Sequence, residues 1–206
     1  GALLILGAGA AMMLVGGINW AWVIAAMGAA VGMVYVALFV IGYNTSRVTY
    51  WLNPWAEDPL DKGYQLRQSL ITIGSGGLFG LGYGKSRQKY LYLPFQYNDY
   101  IFAVICEELG LVGAGVVMLL FAALILRGYW IALHTRDRFG TLLAVGFTTQ
   151  LAVQVFLNIS VVTGLLPTTG ISLPFFSYGG TALLIQLAEM GVILSVSRQM
   201  KPTKAG

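Results

Sequence analysis

The 206-residue sequence contains one cysteine, Cys106, and one histidine, His134. A lone cysteine excludes an intrachain disulfide, and with a single histidine it leaves no basis for a Cys- or His-rich metal cluster. Charge is scarce too. Only 10% of residues are Asp, Glu, Lys or Arg, where a soluble domain carries about 25%. That shortage excludes an ordinary soluble domain. The net charge of +4 raises the question of nucleic acid, but the basic residues sit at the ends of apolar runs, where they orient a membrane protein instead. No initiator methionine and no charged leader precede the apolar run that opens on Gly1. The chain is therefore expected to be the C-terminal part of a longer protein whose earlier spans are missing.

What the sequence has is apolar length. Hydrophobic residues make up 57% of it, and runs of about 20 residues recur, each long enough to cross ~30 Å of hydrocarbon. The expectation is an all-α polytopic membrane protein, with residues 1–206 as a single transmembrane domain of about six visible helices. Leu3–Leu14 reads as the end of a span. Trp20–Ile41 reads as a full span, with Trp20 and Trp22 suited to an interfacial belt. Tyr43–Arg67, interrupted by Pro54 and Pro59, reads as an interfacial loop with short amphipathic pieces. Ser69–Tyr83 is apolar but rich in glycine, and is expected to be short or broken. A second polar loop, Lys85–Asp99, leads into the spans Ile101–Leu126, Thr141–Leu166 and Phe176–Val196.

The Lys and Arg distribution orients these spans if Ser69–Tyr83 crosses the membrane. With the basic tail Arg198–Lys204 in the cytoplasm, Arg127–Gly140 and Tyr43–Arg67 are inner loops. The segments 84–99 and 164–180 are then outer loops, and Lys85, Arg87 and Lys89 are the only cations on that side.

Asp99 is the only carboxylate assigned to the outer face. It suits an N-cap of the following span. It also suits a general base, if burial among Tyr97, Tyr100 and Phe102 raises its pKa. Glu107 lies about 12 Å further along a helix, too far for a close carboxylate pair, so any acid–base chemistry rests on one carboxylate. Glu107, Glu108 and Glu189 are read as buried structural groups that pair inside the bundle. Lys85, Arg87 and Lys89 alternate, which puts them on one side of an extended backbone. They fit either lipid head groups or a diphosphate clamp. Gln150, Gln154 and Asn158 recur at helical spacing and are expected to hydrogen-bond across helices, as are Gln186 and Glu189.

Between the last two spans, Pro167, Gly170, Pro174, Gly179 and Gly180 prevent a continuous helix. Irregular backbone beside membrane spans is tolerated only where protein or a water-filled cavity satisfies it. The segment is thus a candidate wall of a working site.

The stretch NISVVTGLLPTTGISLPFFSYGG, from Asn158 to Gly180, closely resembles the signature of the SEDS family of bacterial cell-wall proteins (FtsW, RodA, SpoVE). So do Gln68–Gly84, Ser86–Asp99 and Ile101–Gly110. The wording of Val162–Pro174 and the ending SVSRQ are more similar to the FtsW/SpoVE branch. The resemblance implies a ten-span fold with both termini in the cytoplasm, of which this chain is the last six spans. It implies a peptidoglycan glycosyltransferase that polymerises lipid II, an undecaprenyl-diphosphate-linked disaccharide peptide, at the outer face of the cytoplasmic membrane, in division or sporulation septum synthesis. A class B penicillin-binding protein, which is a transpeptidase, is the expected protein partner, alongside membrane lipids and no nucleic acid.

The family's Pro-Glu-x-x-Thr-Asp-Phe-like pattern reads here Pro94-Phe95-Gln96-Tyr97-Asn98-Asp99-Tyr100, which keeps the Asp and loses the Glu and Thr. Its Ser-Tyr-Gly-Gly-Ser-Ser reads Ser177-Tyr178-Gly179-Gly180-Thr181-Ala182. The resemblance thus makes Asp99 the catalytic residue. Lys85, Arg87, Lys89, Gln96, Pro167, Thr169, Ser177, Tyr178, Gly179 and Gly180 become candidate substrate-binding residues. No cofactor is certain; a divalent cation, magnesium or manganese, could assist on the diphosphate, although no ligand cluster marks a metal site. Two other readings fit the same features: a flippase for lipid II, with broken spans and internal polar rows, or a scaffold that recruits a transpeptidase.

Overall fold

A computed structural model describes residues 2–19, 21–22, 24–25, 28–29, 32, 51–55, 63–82, 84, 99–177 and 179–198. The regular elements are all helical: α1 (Ala2–Val15), α2 (Tyr64–Gly76), α3 (Ile101–His134), α4 (Arg138–Val162) and α5 (Gly180–Ser197). Three of them, α3, α4 and α5, are long and apolar enough to cross a membrane. Their many exposed leucines, such as Leu119, Leu120, Leu184 and Leu194, are what lipid-facing helices carry. The protein is an all-α polytopic membrane protein, as its apolar runs predict.

The chain divides into two compact units. The first holds residues 1–27, 120–154 and 179–206. Its core is Ile131, Ala132, Ala144, Val145, Ile193 and Val196, flanked by Ala11, Phe147 and Met190. Small residues let the helices approach closely: a Cβ on Gly128 would collide with Thr148, and one on Gly146 would meet the Met12 sulfur at 2.9 Å. The second unit holds residues 28–119 and 155–178. It contains α2, the first part of α3, the end of α4 and the segment that follows α4.

A break in α3 organises the second unit. Gly110 takes φ 70 and ψ −172, a conformation that essentially only glycine adopts. The break frees the carbonyls of Glu107 and Glu108 and the N–H groups of Leu111 and Val112 from the helical ladder. The segment after α2 takes up all four. Leu81 N donates to Glu107 O (2.9 Å) and Gly82 N to Glu108 O (3.0 Å), while Leu111 N donates to Gly77 O (3.0 Å) and Val112 N to Leu78 O (3.2 Å). Side chains are excluded at the crossing. A Cβ on Gly76 would strike the Cys106 and Glu107 backbone, and one on Gly80 the backbone of Glu108 and Gly110. The four groups freed by the break are thus satisfied by protein, the condition under which irregular backbone is tolerated beside membrane spans.

This arrangement corrects the expected topology. α2 has 13 residues, about 20 Å at 1.5 Å per residue, and its start lies beside the end of α4. Ser69 Oγ donates to Val162 O at 2.8 Å, and Trp51 Nε1 donates to Gly164 O at 2.8 Å. The Gly76 end lies deeper, against Cys106 and Glu107. α2 therefore runs in from the side where α4 ends, and the described residues 69–82 turn back at the Gly110 break rather than crossing. Trp51 and Ser69 lie at the Gly164 end of α4, so Trp51 is not on the opposite side; residues 43–50 and 56–62 of the expected loop lie outside the described residues. Arg67 lies within α2. Arg67, counted with the opposite side, thus belongs to a helix beside the end of α4; Arg47, Lys62, Lys85, Arg87 and Lys89 lie outside the described residues.

Several span boundaries also move. α3 continues past Leu126 to His134; the Arg127 guanidinium lies 4.1 Å over the Trp130 ring, and Trp130 stacks on His134 at 4.4 Å. α4 begins at Arg138 rather than Thr141 because Asp137 Oδ2 accepts from Gly140 N at 3.0 Å, an N-cap. It ends at Val162 rather than Leu166 in a Schellman closure: Leu165 N donates to Ser160 O (2.8 Å), Gly164 N donates to Val161 O (3.0 Å), and Gly164 sits at φ 77. α5 begins at Gly180 rather than Phe176. Most of Trp20–Ile41 lies outside the described residues.

Candidate active site

Asp99 stands two residues before the start of α3, in the second unit. Its surroundings are built by the end of α4 and the segment after it. Asn158, on the last turns of α4, is 1% exposed. Its side-chain amide donates two hydrogen bonds, to Asp99 O and to Ile171 O, each 2.8 Å. Both partners are carbonyls, so the Asn158 NH2 must face them and the amide orientation is unambiguous. Gly170 is the neighbour of the second carbonyl and takes φ 66. A Cβ there would lie 3.7 Å from Asp99 Oδ2, so the Asp99 carboxylate sits over the Gly170 turn. Burial raises the pKa of that carboxyl above its ordinary value, because low-dielectric surroundings disfavour the charged form. A half-buried carboxylate with a raised pKa can take a proton from a hydroxyl held beside it.

The segment from Gly164 to Ser177 carries the Gly170 turn. Leu173 and Pro174 are fully buried and anchor it. Phe175 takes φ 64, an outlier for a bulky residue, within a turn where Ser177 N donates to Leu173 O at 3.2 Å. Pro167 and Thr169 are half-buried in this segment, and the Thr169 hydroxyl oxygen is buried with no hydrogen-bond partner among the described residues. Ser177 is also half-buried. Gly179 and Gly180 open α5 in the other unit. Lys85, Arg87, Lys89, Gln96 and Tyr178 lie outside the described residues.

The polar rows divide. Gln150 and Glu189 meet across α4 and α5 as expected, with Gln150 Nε2 donating to Glu189 Oε1 at 2.9 Å, and Gln186 is buried nearby on α5. Gln154 is half-buried on α4. Asn158 departs from the row: it binds main-chain carbonyls of two connecting segments rather than another helix. Glu107 is 1% exposed and Glu108 8%. Both sit at the Gly110 break, and Glu108 Oε1 has no hydrogen-bond partner among the described residues. No sequence pattern marks Trp51, Ser69 or Gly110 as site-building residues. Their partners are backbone groups far along the chain, which leave no local pattern. Among the described residues no group of three or more His, Cys, Asp or Glu could hold a metal ion.

A protein-family profile described as "Cell cycle protein", covering FtsW, RodA and SpoVE, matches residues 1–202. Stage V sporulation protein E of Bacillus subtilis is 53% identical over 156 residues, covering 76% of this chain and 42% of the relative. The probable peptidoglycan glycosyltransferase FtsW of Geobacter metallireducens is 46% identical over 169 residues, covering 82% of this chain and 45% of the relative. A solved structure, "Structural coordination of polymerization and crosslinking by a peptidoglycan synthase complex", superposes with a TM-score of 0.78 at 31% identity, over 98% of this chain and 56% of that one. The chain thus spans about half the length of the curated relatives it matches.

Proposed function

The chain belongs to the FtsW/RodA/SpoVE family of cell cycle proteins, and on that premise we propose that it is the C-terminal part of a peptidoglycan glycosyltransferase that polymerises lipid II. The names of its FtsW relatives and the peptidoglycan synthase structure support the reading. The observation that carries it is the half-buried Asp99 carboxylate over the Gly170 turn.

Asp99 is the general base in this reading. It takes the proton of the acceptor's sugar hydroxyl as that oxygen attacks the anomeric carbon of the lipid-linked donor. The new C–O bond forms on the face opposite the breaking bond, and the lipid diphosphate leaves with the electron pair. One base and direct displacement give inversion, from an α-linked donor to a β-linked product. Lys85, Arg87 and Lys89 stabilise the diphosphate, whose charge grows in the transition state. Gln96 and the stretch from Pro167 through Thr169, Ser177 and Tyr178 to Gly179 and Gly180 contact the lipid-linked sugars. A magnesium or manganese ion could assist on the diphosphate; among the described residues no group of three or more His, Cys, Asp or Glu could hold one. The reaction takes place at the outer face of the bacterial cytoplasmic membrane, with the C-terminus inside. A class B transpeptidase that crosslinks the product is the partner.

The test is Asp99→Asn in the full-length protein, assayed with labelled lipid II. Polymer is expected to disappear while lipid II binding persists. Near-normal polymer would overturn the assignment of the base. Replacing Lys85, Arg87 and Lys89 is expected to weaken use of the donor.

A further inference from the structure

We propose that Asn158 is a positioning residue for the transfer reaction, fastening the Asp99 segment and the Gly170 turn to each other through their main-chain carbonyls. The inference rests on the reading of Asp99 as general base, and names a group that acts on it without touching substrate.

The geometry leaves the Asn158 amide little other role. It is 1% exposed, and both of its N–H bonds are spent on two connecting segments 59 and 13 residues away in sequence, at 2.8 Å each. Neither accepting carbonyl belongs to the body of a helix. Ile171 follows Gly170, whose backbone underlies the Asp99 carboxylate, so one side chain sets both the carboxylate's own backbone and the surface it rests on. The other polar atom of the side chain, Asn158 Oδ1, is buried with no hydrogen-bond partner among the described residues. A buried acceptor without a partner is unfavourable. An apolar side chain of the same shape would fill the space without that cost, so packing alone does not account for an amide at this position. Two donors aimed at two carbonyls do. Asn158 is carried on the rigid last turns of α4, where the Schellman closure at Gly164 ends the helix and Ser69 Oγ bonds Val162 O. The reference point is thus a helix end rather than a loop, which suits a group that must hold a base to sub-ångström tolerance.

The experiment compares Asn158→Leu, Asn158→Asp and Asp99→Asn in the full-length protein, purified in detergent and assayed with labelled lipid II across substrate concentrations. Asn158→Leu keeps the shape and removes both donors. Asn158→Asp keeps shape and polarity but turns acceptors toward the two carbonyls. Rates are taken per folded molecule, counted by size-exclusion chromatography. Displacement of a catalytic group by about 1 Å lowers rates by about 10²-fold. A fall in kcat of that order with KM unchanged is expected for both Asn158 variants. Wild-type kcat in either variant, beside an inactive Asp99→Asn, overturns the positioning role alone. Loss of activity that only follows loss of folded protein in both variants also overturns it, by returning Asn158 to folding. An active Asp99→Asn overturns the underlying reading instead.

Discussion

The Trp51 indole N–H donates to the Gly164 carbonyl across 2.8 Å, joining positions 113 residues apart. Gly164 is the left-handed residue that closes α4, and its carbonyl lies just beyond those a helix end leaves without an internal partner. Trp51 satisfies it, and Ser69 Oγ does the same for Val162 O. The pair also decides topology: a residue bonded to the end of α4 cannot lie at the face where α4 begins.

Labelling from one side of the membrane tests that assignment. α4 has 25 residues, about 37 Å of helix, so its two ends lie on opposite faces. Leu52 is 72% exposed and Leu165 69%, while Phe139 at the other end is 68% exposed. Single cysteines at positions 52 and 165, with Cys106 replaced, are expected to react together with a membrane-impermeant thiol reagent added from one side. A cysteine at position 139 is expected to react only from the other. Labelling of position 52 with position 139 would restore a crossing by Ser69–Tyr83.

How much of this was legible in the sequence varies by element. The long helices were, because α3, α4 and α5 carry continuous apolar runs that only a membrane accommodates. Asp99 and the Gly/Pro-rich segment after α4 are legible as well, since a carboxylate and a broken backbone each stand out in apolar surroundings. The clasp between residues 77–82 and 107–112 was not. It is made of backbone N–H and C=O groups, which every residue has. Its one visible trace is glycine, which equally suits close helix packing. Asn158 was visible as a polar residue at helical spacing with Gln150 and Gln154, but that periodicity points toward a neighbouring helix. The carbonyls of Asp99 and Ile171 become its partners only once α4 ends where Gly164 allows.

The clasp predicts a sharp contrast among glycines. At Gly80 a Cβ would collide with Glu108 and Gly110 backbone, and φ is 75. Gly80→Ala is expected to break the crossing. The left-handed backbone alone is unfavourable by about 1–2 kcal/mol, and each of the four bonds at the crossing is worth about 0.5–1.5 kcal/mol. Gly115, further along α3, has no atom within 4 Å of its Cβ position. Gly115→Ala is expected to be neutral or stabilising, by up to about 1 kcal/mol. Thermal unfolding of both variants in detergent makes the comparison. Equal stability would remove the structural role of the clasp.

The raised pKa of Asp99 predicts a pH dependence. A general base works only when ionised, so the rate is expected to fall on the acid side at a pH above the ordinary Asp value of about 3.9. Burial is the cause of the shift. In the unfolded chain Asp99 ionises first, so its ionisation disfavours the folded state progressively as pH rises from the unfolded toward the folded pKa, and the effect is constant above it. Asp99→Asn is therefore expected to be at least as stable as the parent at neutral pH, with the advantage vanishing in acid. Rate and unfolding measured from acid to neutral pH check both signs. A variant less stable at neutral pH would mean that the carboxylate is held by favourable contacts rather than strained by burial.

The Gln150–Glu189 pair offers a test inside the first unit. Glu189 is 9% exposed and takes its hydrogen bond from Gln150 Nε2 at 2.9 Å. Hydrogen bonds between membrane helices average about 0.6 kcal/mol and reach about 1.7 kcal/mol. Gln150→Leu removes the donor and leaves a buried carboxyl group without its amide. It is expected to lower stability toward the upper end of that range. Glu189→Leu strands the Gln150 amide instead and is also expected to lower stability. The double variant removes both polar groups together and is expected to recover part of the loss, since an apolar pair leaves nothing unsatisfied. A double-mutant cycle read by thermal unfolding in detergent gives the coupling directly. Strictly additive effects would mean that the two side chains meet without stabilising each other, and that α4 and α5 are held instead by the core around Ala144, Val145 and Ile193.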